Sequence, residues 1–180
     1  LTADATAAVY KATGGQPRLL QRFGYQLFKL WETRPTRTVL TVEDVKQVTP
    51  AVYASSEADL HTAWTDTTRN ERLALTAITS LIYADPLNAP TQAGLESWLV
   101  ETDYPLDSTA IKAAIRGLEY REIVEHSTAG IRLTSSLMQN WLMENGRLTG
   151  GTTPTEARRP GLRWLAVAAV ALLLIVLVLI

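Results

Sequence analysis

The 180-residue chain contains no cysteine and only two histidines, His61 and His126. The first absence excludes a disulfide framework, a thiolate metal site and a cysteine nucleophile. With the two histidines isolated and far apart, no metal site is expected either. An excess of charge is also missing, since 17 basic residues face 18 acidic ones for a formal net charge of -1. A chain so balanced lacks the positive surplus with which proteins coat nucleic acid. The sequence holds no G-x-x-x-x-G-K-[ST] phosphate loop, no G-x-S-x-G elbow and no H-E-x-x-H pair, so no catalytic residue is assigned. Paired acids such as Glu43/Asp44 and Glu119/Glu122 read as solvated helix faces.

What is present is unevenly distributed. Hydrophobic residues make up 47% of the chain, and from Trp164 to Ile180 they follow one another without interruption. As a helix this run spans about 26 Å, close to the roughly 30 Å of a bilayer's hydrocarbon core. It therefore reads as a transmembrane helix over 164–180, preceded by a flexible basic linker over 146–163 rich in Gly, Thr, Pro and Arg. Arg158, Arg159 and Arg163 flank it, and Trp164 suits the membrane interface. The positive-inside rule then predicts a single-pass membrane protein with its folded part in the cytoplasm. The first residue is Leu1 rather than methionine, as expected of a piece of a longer chain.

Ahead of the linker the pattern is helical. Thr2 to Thr13 carries Ala5, Ala8, Val9 and Ala12 on one side and stops at Gly14-Gly15. Pro17 suits a first helical position, and Leu20, Phe23, Leu27 and either Leu30 or Trp31 then recur at helical spacing. Thr41-Val-Glu-Asp44 has the form of a capping box, opening a helix expected to be interrupted near Pro50 and to resume through Trp64. A second group begins near Arg69. Its first helix carries Leu73, Leu75, Ile78, Leu81 and Ile82, and its second, opened by Thr91, carries Leu95, Trp98 and Leu99. The third, capped by Asp107 or Ser108, carries Ile111, Ala114, Ile115 and Leu118.

The period then changes to that of two short strands, Ile123 to His126 and Ile131 to Leu133, joined by a Ser-Thr-Ala-Gly turn. A closing helix follows with Leu137, Trp141 and Leu142. Three helices and a hairpin form a winged-helix arrangement. Trp31, Trp64, Trp98 and Trp141 all fall on apolar stripes and are expected in cores.

The fold class expected is thus mainly α: a helical-bundle lid over 1–65, a winged helix over 66–145, the linker, and a single transmembrane helix. On the helix in the recognition position, Lys112, Arg116 and Arg121 could face DNA or a protein partner. Between Arg69 and Asn145, however, six basic residues stand against ten acidic ones, which argues against nucleic acid. Read by itself, Gly14-Gly15 is either a helix C-cap or part of a ligand-facing turn.

The stretch Tyr10-Lys-Ala-Thr-Gly-Gly-Gln-Pro-Arg-Leu-Leu-Gln21 resembles the T-G-G-x-P-x-L-[LI]-Q motif in the helical lid of bacterial and archaeal AAA-like ATPases of the STAND, or signal-transduction, type. Thr41 to Val45, Asp59 to Trp64, Glu71 to Leu75 and Ile131 to Leu142 resemble that family's later landmarks in the same order, so the similarity runs from Ala3 to Met143. Leu60 stands where the family prefers an aromatic residue, and Gln139-Asn140 where it prefers arginines. The resemblance implies that Gly14, Gly15, Gln16, Pro17 and Arg18 lie near a nucleotide, ATP or ADP with Mg. The phosphate loop that grips it belongs to a preceding core domain absent from this sequence.

The implied function is the regulatory part of a membrane-anchored, ATP-binding signalling ATPase, with no nucleotide bound by this chain alone. Its implied partners are the missing P-loop core, the lipid bilayer, and an unknown protein or a second copy. The alternatives are a membrane-tethered winged-helix DNA-binding regulator and a tail-anchored interaction adaptor.

Overall fold

In a computed structural model, residues 1–34, 39–104 and 106–146 are described. Seven helices and one small sheet make up this part of the chain: α1 (Ala3–Thr13), α2 (Pro17–Glu32), α3 (Val42–Thr65), α4 (Arg69–Ala84), α5 (Gln92–Glu101), α6 (Ser108–Tyr120), the strands β1 (Val124–Ser127) and β2 (Gly130–Leu133), and α7 (Ser136–Asn145). Short polar side chains set most helix starts. Thr2, Thr68, Thr91, Asp107 and Ser135 each accept a backbone N–H from the first turn of the helix that follows. Thr41/Asp44 and Thr68/Glu71 form full capping boxes.

Two apolar clusters hold these elements. The first gathers Ala5, Val9, Leu19, Phe23, Leu27, Val45, Val48 and Val52 from α1 to α3. The second gathers α4, α5 and α6 around Leu75, Ile78, Leu95, Leu99, Ile111 and Leu118, and is closed by Ile131 of the hairpin and Trp141 of α7. Each fully buried side chain of this size contributes roughly 1.5–3 kcal/mol. The clusters exchange members. Leu60 and Trp64 at the end of α3 belong to the second, Leu137 of α7 belongs to the first, and Tyr53 packs against both. The described residues from Leu1 to Gly146 accordingly belong to one compact unit.

The hairpin is antiparallel with Ser127 opposite Gly130, so Thr128 and Ala129 make a two-residue turn. A third segment reaches it, because the Ile131 N–H donates to the Pro90 carbonyl at 2.9 Å. Helices α4 to α6 with this hairpin are compatible with a winged-helix-like fold.

Several expectations need correction. Pro50 does not interrupt α3, which runs unbroken for 24 residues. Pro50 is exposed, so the Lys46 carbonyl that loses its donor can be hydrated, while Val48 and Val52 keep the helix packed on either side. On α2 the buried stripe is Leu19, Phe23 and Leu27. Leu20 and Trp31, expected inside, are exposed, because the core meets the helix one residue earlier in its rotation.

The transmembrane part of the fold class and the single-pass membrane localisation are corrected as well, since among the described residues no helix is long and apolar enough to cross a membrane. Residues 164–180, on which that expectation rested, lie outside the described residues. So do linker residues 147–163, with Arg158, Arg159 and Arg163 among them, and Trp164 beyond the linker.

Candidate functional site

Helix α1 ends on Gly14, whose φ of 61° is left-handed and whose N–H donates to the Tyr10 carbonyl at 2.7 Å. The buried Thr13 hydroxyl donates to the Val9 carbonyl at 2.9 Å and accepts the Gly15 N–H at 3.2 Å, tightening the turn from within. Gln16 is the N-cap residue of α2 but makes no side-chain bond to it, and Pro17 takes the first helical position. The motif is therefore a helix C-cap, a rigid two-residue step and a helix start.

Its surroundings were not legible in the sequence. A Cβ at Gly14 would stand 2.9 Å from the Thr134 carbonyl oxygen, so the turn lies directly on the loop between β2 and α7. The next residue, Ser135, is fully buried. Its hydroxyl donates to the Ala12 carbonyl at 2.7 Å and accepts the Met138 N–H at 3.2 Å, capping α7 while gripping the end of α1. Thr134 holds the other side, its hydroxyl donating to the Glu122 carbonyl at 2.7 Å and its N–H to the Ile123 carbonyl at 3.1 Å. Two consecutive residues thus join the Gly-Gly turn to the start of α7 and to the α6–β1 junction. A serine before an apolar helix signals a cap, but no sequence pattern shows that its hydroxyl also reaches a carbonyl 123 positions away.

Arg18, expected near a nucleotide, is directed at Asp59 of α3, with Nη1 3.3 Å from Oδ1. Arg22 grips the other carboxylate oxygen with two bonds, of 3.1 and 2.6 Å. These side chains line a groove of about 500 Å³ with Gln21, Tyr25 and Ser55. The Arg22 hydrogen bonds, more than the added field of Arg18, hold the Asp59 carboxyl below its ordinary value of 3.8. Because the folded value is depressed, the stabilisation is complete above pH 3.8 and is lost as pH falls through the lower folded value. The stability advantage over Asp59→Asn, measured by urea unfolding, is expected to be constant from about pH 7 to 5 and to shrink below about pH 4. A gap that does not change with pH would show that the arginines do not stabilise the ionised form.

Of the three basic residues expected on α6, Lys112 and Arg116 are exposed. Arg121 instead lies beside Glu71, Nε to Oε1 3.5 Å, where the largely buried Glu71 carboxylate also accepts the Thr68 N–H at 2.6 Å. It supports the α4 cap. Gln92 and Ser108 lower the Glu96 pKa by hydrogen bonding, and the Lys112 charge adds to their effect. In the hairpin Glu125 lies opposite Arg132, and His126 stands 4.0 Å from Glu119. Positive charge on this face is interleaved with negative charge.

A second groove, of about 600 Å³, runs between α3 and α7 past Glu57, His61, Trp64, Trp141 and Asn145. The Trp64 and Trp141 rings lie 6.4 Å apart, and the Arg72 guanidinium stands 6.0 Å from the Trp64 ring. Both tryptophans are core residues, as their stripes predicted, whereas Trp98 is half-buried.

Comparison with family models, with curated proteins and with solved structures finds no match for this chain.

Proposed function

We propose that this chain is the lid and winged-helix regulatory part of a STAND-type P-loop ATPase, and that the turn Gly14-Gly15-Gln16-Pro17 faces a nucleotide held by a core outside these 180 residues. One observation carries the reading beyond the motif itself: the turn rests on Thr134 and is tied through Ser135 to the α7 cap. A displacement of the turn must therefore move the start of α7. The ordered motifs from Ala3 to Met143 support the same reading.

The residues present suit a contact and not a grip. Gly15, Gln16 and Pro17 keep partial or full access to solvent, and Pro17 offers a flat apolar ring with a fixed φ. Gln16 leaves the first turn of α2 without a side-chain cap, the polarity that favours a nearby anion. Arg18 is already drawn to Asp59, so it adds positive charge at a distance. ATP and ADP, with Mg, would present different charge to this turn. A differential contact of a few kcal/mol is sufficient to move a two-state equilibrium.

The test expresses these residues together with the P-loop core that the reading requires. Gly15→Ala and Pro17→Ala are expected to weaken ADP or ATP binding by about three- to tenfold, corresponding to roughly 0.7–1.4 kcal/mol. Unchanged affinity for both nucleotides in both variants removes the lid role. A reading frame with no phosphate-loop motif ahead of Leu1 removes the whole proposal.

A further inference from the structure

Between α3 and α7 the groove of about 600 Å³ is built from one face of each helix. Ala54, Glu57, Ala58 and His61 follow one another on α3 at helical spacing, and Trp141 and Asn145, four residues apart, line it from α7. The two alanines are short and exposed, which keeps the space between the helices open. Trp64 and Trp141 supply its apolar wall, both fixed in the second core cluster.

Most of the hydrogens these residues could offer are turned inward. Ser55 Oγ donates to the Val52 carbonyl at 2.9 Å, and Asn145 Nδ2 donates to the Trp141 carbonyl at 3.2 Å. Next to Ala54, the Tyr53 hydroxyl donates to Glu144 Oε2 at 2.6 Å. What the groove presents is therefore acceptors, above all the exposed Glu57 carboxylate, which has no partner among the described residues. His61, exposed beside it, is able to donate or to accept.

The charge is of one sign. Among the described residues no lysine or arginine lines the groove. Burial, then the Glu144 bond and the charges of Glu144 and Glu57, raise the Tyr53 pKa above its ordinary 10.0, so both carboxylates stand near the Tyr53 end. Near the Trp64 end the Arg72 guanidinium lies 6.0 Å from that ring, and the fold itself thus sets a planar cation against this aromatic wall. The single charge of Arg72 leaves the two carboxylates in excess. One donor is unused: Trp141 is 3% exposed, and its Nε1 is buried without an acceptor. An unpaired buried N–H is costly and gains from an acceptor brought to it. The exposed His61 ring, edge-on to Trp141 at 6.1 Å, can turn aside to admit one.

We infer that the α3–α7 groove docks an arginine carried by a partner protein, with the guanidinium on Glu57, the methylene stem along Ala54 and Ala58, and a peptide carbonyl of the same segment accepting from Trp141 Nε1. An acceptor-lined, acidic groove with an aromatic wall calls for a ligand that brings donors, positive charge and an apolar stem together. A small free cation would satisfy the carboxylate alone. A peptide supplies the carbonyl as well. The groove is open and the contacts are few, so a short segment binds weakly by itself, with a Kd of about 0.1–1 mM. The inference does not rest on the nucleotide reading, since none of Gly14 to Arg18 lines this groove.

The probe is a short capped alanine peptide with a central arginine, compared with the same peptide carrying citrulline, which keeps the shape and loses the charge. Each is titrated into the full chain and followed by NMR. The arginine peptide is expected to shift the Trp141 indole N–H resonance and to bind at least about fivefold more tightly than the citrulline peptide. Glu57→Gln should weaken it about three- to tenfold, and Glu101→Gln, an exposed acid on α5, should leave it unchanged. Glu57 is exposed and holds nothing in the fold, so its substitution leaves the structure intact. Equal affinity for the two peptides, no binding up to about 10 mM, or binding that leaves the Trp141 indole unmoved overturns the inference. So does undiminished affinity in Glu57→Gln.

Discussion

Gly130→Ala is expected to destabilise the protein by about 3–5 kcal/mol. Two independent costs add. The residue has φ 123°, a region that side-chain-bearing residues essentially do not occupy. A Cβ there would also stand 2.8 Å from the carbonyl oxygens of both Ala89 and Pro90, and 2.9 Å from the Ala89 Cβ. None of these is a flexible side-chain end, so the backbone of the 89–90 segment would have to retreat.

That retreat would break the bond from the Ile131 N–H to the Pro90 carbonyl, which joins the hairpin to the segment before α5. Ile131 is fully buried, so the loss reaches the second cluster. For a protein of this size the melting temperature should fall by roughly 6–20 °C. Thermal unfolding followed by circular dichroism measures it, and a fall under about 3 °C would mean that the hairpin tolerates a different placement.

Gly14→Ala is expected to cost about 2–4 kcal/mol, for related reasons at a different seam. The left-handed φ of 61° disfavours alanine, and the new Cβ would stand 2.9 Å from the Thr134 oxygen and 3.0 Å from its carbonyl carbon. Gly15→Ala is the control. Its φ of 78° carries a similar conformational penalty, but its nearest neighbour is the edge of the exposed Tyr10 ring at 3.1 Å, which can turn away. Gly15→Ala should therefore cost about 1–2 kcal/mol, the conformational part alone.

The difference between the two variants measures how tightly the turn is pressed onto the α7 loop. Equal losses in the two would show that the Thr134 contact contributes nothing. That contact is also the physical basis of the proposed regulation, since a turn that could yield freely would transmit nothing to α7.

Much of the local structure was legible in advance. Asp107, Thr91 and Thr41 announced helix starts by their side-chain chemistry, and Ile111, Ala114, Ile115 and Leu118 of α6 were identified as its buried face from spacing alone. The hairpin followed from the change of period. Errors came where two readings of one pattern differ by a small rotation or by a solvent contact. Leu19 and Leu20 are adjacent leucines, and only the placement of α1 and α3 around α2 decides which is buried. Pro50 breaks a helix in isolation, but not where the packed face runs past it on the opposite side.

The sequence by itself determined where this chain turns, caps and changes period, because those properties depend on neighbours within a few residues. It also marked Gly14 to Pro17 as unusual. Only the tertiary structure decided that this turn rests on Thr134, that Ser135 joins α1 to α7, that Arg18 and Arg22 converge on Asp59, and that Arg121 belongs to the α4 cap. Each of these links joins positions between 37 and 123 residues apart or depends on helices meeting at a particular rotation. No periodicity records such distances, since they are set by how the two apolar clusters close on each other.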